Sequence, residues 1–379
     1  MASIRKRKWR GRDGSEQVAW VVDYFDQAGK RHLKTFPTKG AAEAWKTDAL
    51  HQVKIGTHTP ASTSKTVAEA WALWVAECED NGLERSTIRQ RKQHLNLHVK
   101  TFIGNVKLAE LTAPRVEQFD ADLRKEGRSL QMRRKVLTNL KTALKFAQRK
   151  GLVAQNVALA IRIKNDARQA AGPLRAGTDF PTRAQLNAAI DKAPARSRPF
   201  IVAAIFTGMR ASELRGLPWR DVDLQAGVIH VRQRADFWNH MGPPKSKAGK
   251  RDIPLAPIVV NALKEWKAIC PKGDLDLVFP NGAGNPESLT NLWKRVWRPL
   301  QIDCGMATDQ GEPLYGFHCL RHAAASLFIQ YLGWTPKRLQ TVMGHSSVRM
   351  TFDLYGHLFE DLEADRADMA KIEAAVRAA

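Results

Sequence analysis

The apolar positions change period twice along this chain, and the changes mark its parts. Near the start they alternate. Val18, Trp20, Val22 and Tyr24 fall on one face of a strand, Gly29 turns the chain, and a second strand is expected over residues 30–36. Pro37-Thr38 ends the alternation, with Thr38 as the expected N-cap of a helix running past Trp45 to Val53. Residues 56–65, rich in Thr, Ser and Pro, read as a linker.

From there the period becomes helical. Val67, Trp71, Trp74, Val75 and Cys78 recur at helix spacing, as do Val116, Phe119 and Leu123 behind Thr112. A helix over residues 129–150 places Val136, Leu140, Ala143 and Ala147 on one side and Arg134, Lys141 and Lys145 on the other. A second linker, residues 164–181, precedes Thr182 and Gln185, the capping-box pair of a new helix. A helix over residues 200–207, a turn at Gly208 and a helix over residues 211–217 follow. Strand-like segments 228–231 and 251–255 flank a long Pro/Gly-rich excursion, and the remainder reads as helix.

The fold class expected is therefore mainly α and multidomain. A small sheet with a helix (1–56) and a helical domain (66–163) precede a mixed, mostly helical domain (175–379) that ends in an amphipathic helix over residues 359–376.

Charge narrows the partner. The 379 residues carry 60 Lys+Arg against 38 Asp+Glu, a net +22. The excess is spread as +6 over residues 1–60, +10 over 61–174 and +6 over 175–379, so each part brings its own cationic surface. A polyanion is the natural partner, and nucleic acid the obvious one. Charge alone leaves an acidic-substrate enzyme or a membrane-surface protein open. Apolar runs such as residues 200–206 are far short of the ~18 residues of a membrane span. The basic first 14 residues are followed by no apolar signal region, so a cytoplasmic, nucleoid-associated protein is expected. Cys78, Cys270, Cys304 and Cys319 match neither a zinc knuckle nor a redox pair. The basic leader Arg5, Lys6, Arg7 and Lys8 and the helix face Arg134, Lys141 and Lys145 are the candidate DNA contacts, each with solvation as its plain alternative.

Four segments carry candidate chemistry. Thr207 to Leu214 places Arg210 at a Gly-turned helix start, where a guanidinium and free N–H groups can meet one anion; an Arg paired with Glu213 for structural reasons is the alternative. His318-Cys319-Leu320-Arg321-His322 projects His318 and Arg321 from one helix face. His318 and His322 have a metal-ligand spacing without a third ligand, so no metal is expected and His322 reads as a packing or supporting residue. Gly344-His345-Ser346 and Tyr355-Gly356-His357 complete the set.

The order Arg, Lys, His-x-x-Arg-His, His, Tyr resembles the tyrosine recombinase (phage integrase) family, and the resemblance covers most of the chain. Thr207 to Leu214 matches the family's first-arginine box, His318 to His322 its histidine–arginine box, Gly344 to Ser346 its glycine–histidine–serine segment, and Tyr355 its nucleophile. The family places a lysine on a β-hairpin turn between the first two boxes. Lys245 fits that place best, with Lys247 as runner-up, and the hairpin is longer than the family minimum.

The resemblance implies a site-specific recombinase that works without ATP or metal through a 3′-phosphotyrosyl intermediate, as a homotetramer on double-stranded DNA. Arg210 and Arg321 would hold the non-bridging phosphate oxygens. Tyr355 would attack, His318 would accept its proton, His345 would hold the phosphate by hydrogen bond, and Lys245 would protonate the leaving 5′-oxygen. Glu213 would orient Arg210. Residues 1–56 would contact accessory arm-type DNA, 66–163 would clamp the core site, and the tail helix would dock on a neighbouring protomer. An accessory DNA-bending or excision factor fits the same scheme. A type IB topoisomerase-like relaxing enzyme and a catalytically silent DNA-binding regulator are the competing readings.

Overall fold

The computed structural model describes residues 2–10, 15–56, 58–61, 64–164 and 174–359. The chain is mainly α-helical, with small antiparallel sheets. It divides into two compact units, Met1–Ala170 and Ala171–Ala379. The amphipathic helix expected over residues 359–376 falls, beyond Phe359, outside the described residues.

The first unit opens with a sheet of three antiparallel strands, β1 (Ser3–Arg10), β2 (Glu16–Phe25) and β3 (Arg31–Phe36), in the order β1-β2-β3. The apolar alternation of β2 does what period two requires. Val22 and Tyr24, with Trp20 beside them, pack on Ala42 and Trp45 of the helix Lys39–Lys54. Thr38 caps that helix by accepting from the Ala41 N–H at 3.3 Å. The basic leader is itself strand β1, paired in register so that Arg5 faces Val21 and Lys8 faces Val18.

The same unit also holds a helical bundle with its own core, in which Trp71, Val99, Val116, Leu140 and Ala147 are almost fully buried. Thr66, Thr112 and Ser129 cap three of its helices, as side-chain acceptors placed where the first-turn N–H groups need partners. The segment that reads as a linker is pinned to this bundle. Thr59 Oγ1 accepts from the Ala154 N–H at 2.9 Å, Ser64 Oγ from the Ala109 N–H at 3.0 Å, and Lys107 donates to the Ala61 carbonyl at 2.9 Å.

The second unit is built on two buried helices, Arg198–Thr207 and His318–Leu332, which pack against each other. The small side chains Ala323, Ala324 and Ala325 allow the close approach. Thr182 and Gln185 form the expected capping box ahead of helix Arg183–Lys192. A second sheet has the order β4-β5-β8, formed by β4 (Val222–Asp223), β5 (Val228–Val231) and β8 (Arg251–Pro254). Between β5 and β8 the excursion forms a two-stranded pair, β6 (Arg234–Ala235) with β7 (Met241–Gly242). Register puts Val231 opposite Arg251 and Ile229 opposite Ile253, so Arg251 shares the inward face of the sheet. That strand position carries an arginine into the core.

Candidate active site

The helix Arg198–Thr207 stops at Gly208, whose backbone is left-handed at φ 60°. A Cβ there would also lie 2.9 Å from Met343 Sδ and 3.1 Å from Ala324 Cβ, so both conformation and space ask for glycine. The turn sets Arg210 at the N-cap of helix Ala211–Arg215. Glu213 accepts from the Arg210 N–H at 2.9 Å and from its guanidinium at 2.8 Å, while Arg210 also donates to the Gly344 carbonyl at 3.2 Å. Glu213 thus orients Arg210, as its spacing suggests.

A residue that the sequence did not single out completes this cluster. Arg251 donates to both Glu213 oxygens, at 3.1 and 2.8 Å, and its Nε donates to the Val342 carbonyl at 2.6 Å. Burial pushes the Glu213 carboxyl up, but the hydrogen bonds and charge of Arg251, followed by the charge of Arg210, outweigh it and hold it down at about 2. The available signal for Arg251 was an arginine at an inward position of a strand beside Ile253.

Arg321 lies one turn into helix His318–Leu332 and is 2% exposed. It donates to the Gly208 carbonyl at 2.7 Å and to the Met343 carbonyl. Burial, then the charge of Arg210, lower its pKa from the ordinary arginine value. Three guanidinium groups therefore gather here, and Glu213 is the only carboxylate hydrogen-bonded to any of them among the described residues. The cluster is short of negative charge.

Arg210 and Arg321 line one cleft of about 660 Å³ together with Lys245 and His318. Lys245 therefore comes to the arginines, whereas Lys247 is not among the residues lining the cleft. His318 is exposed in the cleft. The protein packed around it, then His322, Arg321 and Arg210, push its imidazole down to about 4. Its ring meets that of His322 edge-on at 4.9 Å.

His345 and Tyr355 do not line the cleft. His345 is 4% exposed, with Nδ1 at 2.9 Å from Thr351 Oγ1. Burial, followed by the charges of Arg321, Arg210 and Arg251, lowers it to about 3, which places it among the cations. Tyr355 is 1% exposed at the end of helix Val348–Tyr355. Its hydroxyl is bonded at 2.6 Å to Nδ1 of His322, not to His318. Burial raises the phenol well above its ordinary value, with Arg321 pulling the other way. Among the described residues, no group of His, Cys, Asp and Glu is arranged to hold a metal.

The candidate DNA contacts divide. Arg5, Lys6, Arg7 and Lys8 are exposed along β1, where Lys8 pairs with Glu16 at 2.7 Å. Arg134, exposed, donates to the Ile163 carbonyl at 2.9 Å, and Lys141, half-buried, donates to the Ile161 carbonyl. Lys145 is exposed on the same helix. Two of the three basic positions on that face thus hold down the chain that leaves the bundle.

Residues 182–361 match the family model described as phage integrase family, and residues 66–123 match that described as phage integrase, N-terminal SAM-like domain. The chain is 27% identical over 383 residues to an integrase of Streptomyces ambofaciens, covering 93% of this chain and 94% of that protein. It is 23% identical over 341 residues to prophage integrase IntR of Escherichia coli (strain K12), covering 80% and 79%. Its fold is similar to the solved Tn1549 transposon integrase in complex with a circular intermediate DNA, with a TM-score of 0.65, 21% identity, and 82% of this chain and 100% of that one covered. With two matched segments spanning well over half its length, one of them enclosing the whole cation cluster, the chain belongs to the phage integrase family of tyrosine recombinases.

Proposed function

We propose that this chain is a site-specific recombinase of mobile DNA that cuts and rejoins strands through a 3′-phosphotyrosyl bond at Tyr355. The observation that carries the reading is the charge imbalance of the cleft. Among the described residues Glu213 is the one carboxylate hydrogen-bonded to the arginines Arg210, Arg251 and Arg321, holding the first two while Arg321 is held by carbonyls. Arg210 and Arg321 open onto the cleft, and Tyr355 is seated on His322, whose ring meets that of His318. A phosphodiester supplies the missing negative charge, and the added charge of its transition state is met by donors already in place.

Each proton has a destination in this scheme. Tyr355 leaves its seat on His322 and attacks phosphorus while His318 accepts the phenol proton. A bound phosphate offsets the neighbouring cations and returns His318 toward its ordinary basicity. Lys245 protonates the departing 5′-oxygen, and His345, seated among the arginines, holds the phosphate. The tyrosyl ester conserves the bond energy, so rejoining needs neither ATP nor metal.

The exposed cations of β1 support contact with accessory DNA, and the 66–163 bundle supports a clamp on the core site, with four copies working on two duplexes. The enzyme is expected in the cytoplasm on the nucleoid, with an accessory bending or excision factor as a compatible partner.

The test is covalent capture. Full-length protein is incubated with nicked duplexes tiled across the DNA flanking its gene, and adducts that survive denaturant are mapped to the nucleotide. A 3′-linked adduct at one junction is expected, and Tyr355→Phe should give none while still binding DNA. An unchanged adduct in that variant removes Tyr355 from the reading. Relaxation of one-site plasmids without exchange between two sites would make the enzyme a topoisomerase instead.

A further inference from the structure

A phosphate group fills only a small part of the 660 Å³ cleft. Its lining also includes the aromatic rings of Phe237, Trp293 and Phe317 and the apolar side chains of Leu289 and Met209. A group that is anionic at one end and flat at the other fits such a cavity, and a nucleotide is such a group.

Phe237 is the unusual wall. It sits at the tip of the β6–β7 excursion, 53% exposed, with Trp238 edge-on to its ring at 5.4 Å and 83°. An apolar ring held out in water normally belongs to a mobile tip, yet this tip is fastened. The Asp236 carboxylate accepts from the Trp238 N–H at 2.7 Å and the His240 N–H at 2.9 Å. Asn239 takes the left-handed turn at φ 66°, a conformation its side chain tolerates.

Beneath the tip lies Arg215, 1% exposed, donating to the Asp236 carbonyl at 3.1 Å, to the Asn239 side chain and to the Glu287 carbonyl. Glu287 stands two residues before the Leu289 and Thr290 wall of the same cleft. Gly216 lets the backbone of the strand pair come close, because a Cβ there would stand 2.4 Å from the Ala235 nitrogen. Burying a guanidinium is costly, and here its Nε, Nη1 and Nη2 each donate to a segment on one or other side of the same cleft.

We propose that the cleft contains, beside its phosphate cradle, a subsite for one nucleobase next to the scissile phosphate, with Phe237 as its stacking wall. The proposal rests on the recombinase reading above. An aromatic face accepts any base, so the subsite positions the strand without reading its sequence. The base it holds is one that flanks the scissile phosphate and is unstacked as the duplex binds, before any strand is cut. Lys245, on the same excursion and lining the same cleft, is then registered against the phosphate by that base.

The experiment is a binding cycle with full-length Tyr355→Phe protein, which leaves the DNA uncut. The probe is a 30-bp duplex centred on the junction mapped by covalent capture, intact or with a single abasic site at either nucleotide flanking the scissile phosphate. One abasic position should weaken binding by about tenfold, as expected for one lost base–aromatic stack. Adding Phe237→Ala should weaken binding of the intact duplex equally, and abasic site and substitution together should lose no more than either alone. Phe237→Trp should restore the intact duplex.

Losses that multiply, or binding indifferent to both changes, overturn the subsite. The abasic arm uses the parent protein, so a folding defect in the Ala variant cannot imitate the result. Wild-type protein on the same duplex carrying a nick beside the scissile phosphate separates the two readings: covalent capture with no dependence on Phe237 removes the subsite alone, and absence of capture removes the recombinase reading and the subsite with it.

Discussion

The floor and the rim of the cleft are both cationic, but they hold their cations on opposite terms. On the floor, Arg321 is buried and locked to backbone carbonyls, and behind it Arg251 is buried and held likewise, with Glu213 between Arg251 and Arg210. On the rim, Lys245 and His318 are exposed and belong to segments that enter the cleft from a loop and a helix start. A buried, fixed donor stabilises charge without having to reorganise when that charge appears. An exposed one can follow a proton. In the proposed reaction the floor therefore supplies electrostatics and the rim proton transfer, and substitutions on each side should fail in different ways.

The largest effect should be on folding, from the floor. Arg251→Ala leaves Glu213 buried with only Arg210, and breaking a buried pair from one side costs about 3–5 kcal/mol. Urea unfolding of the full chain should show that loss. The double variant Glu213→Leu/Arg251→Met should recover much of it, because an apolar replacement removes both desolvation costs, yet cleavage should stay impaired because Arg210 has lost its anchor. Recovery of both stability and cleavage would show that the pair serves folding alone.

Next in size is a change that leaves the charge and removes the fork. Arg321→Lys cannot keep two carbonyls and a phosphate in one plane, and cleavage should fall by about 10²–10³-fold, the usual cost of one oxyanion donor. DNA binding should change much less, since most phosphate contacts lie elsewhere. The rim should answer differently. Lys245→Ala should slow cleavage by at least about 10²-fold, the scale of a general acid, and a 5′-phosphorothiolate, whose sulfur leaves without a proton, should rescue it. The same substrate should do little for Arg321→Lys. Rescue of Lys247→Ala in place of Lys245→Ala would move the acid by two residues.

How much of this was legible follows from how the information is carried. The boxes around Arg210, His318–His322 and Tyr355 are short and contiguous, and the caps at Thr38 and Thr182 are local chemistry, so each could be read in place. Arg251 could not. Its partner Glu213 is 38 residues away and meets it only after β8 pairs with β5. The seat of Tyr355 on His322 is likewise a contact made by the fold, between residues 33 apart in sequence. Strand β1 was hidden for another reason: nearly every side chain in Ser3–Arg10 is exposed, so no apolar alternation marks it, and only its pairing with β2 makes it a strand. Arg134 and Lys141 add what no helix period shows: members of that charged face also hold down residues 161–163.

The smallest effect separates floor from rim by acid. His345, buried beside the floor arginines, has its pKa lowered from 6.5 to about 3, mainly by burial and then by Arg321, so it folds neutral. The unfolded chain takes up a proton near 6.5 that the folded chain refuses. Stability from this group is complete above pH 6.5 and drains away as pH falls toward the folded value. His94, buried in the helical bundle and lowered to about 4 chiefly by burial, acts with the same sign. Glu213 joins later: its carboxyl, held at about 2 against an ordinary 4.5, contributes above pH 4.5 and loses its share below it. Urea midpoints should therefore be flat from pH 8 to 6.5, decline from there to 4.5, and decline more steeply below. In His345→Gln the fall between 6.5 and 4.5 should be shallower, whatever the variant's stability at pH 8. His318 is exposed in the cleft, so solvent screens its share, and His318→Gln should alter that slope less than His345→Gln. Equal slopes in the two variants would mean that the floor is no drier than the rim, and the division between fixed electrostatics and mobile protons would fall with it.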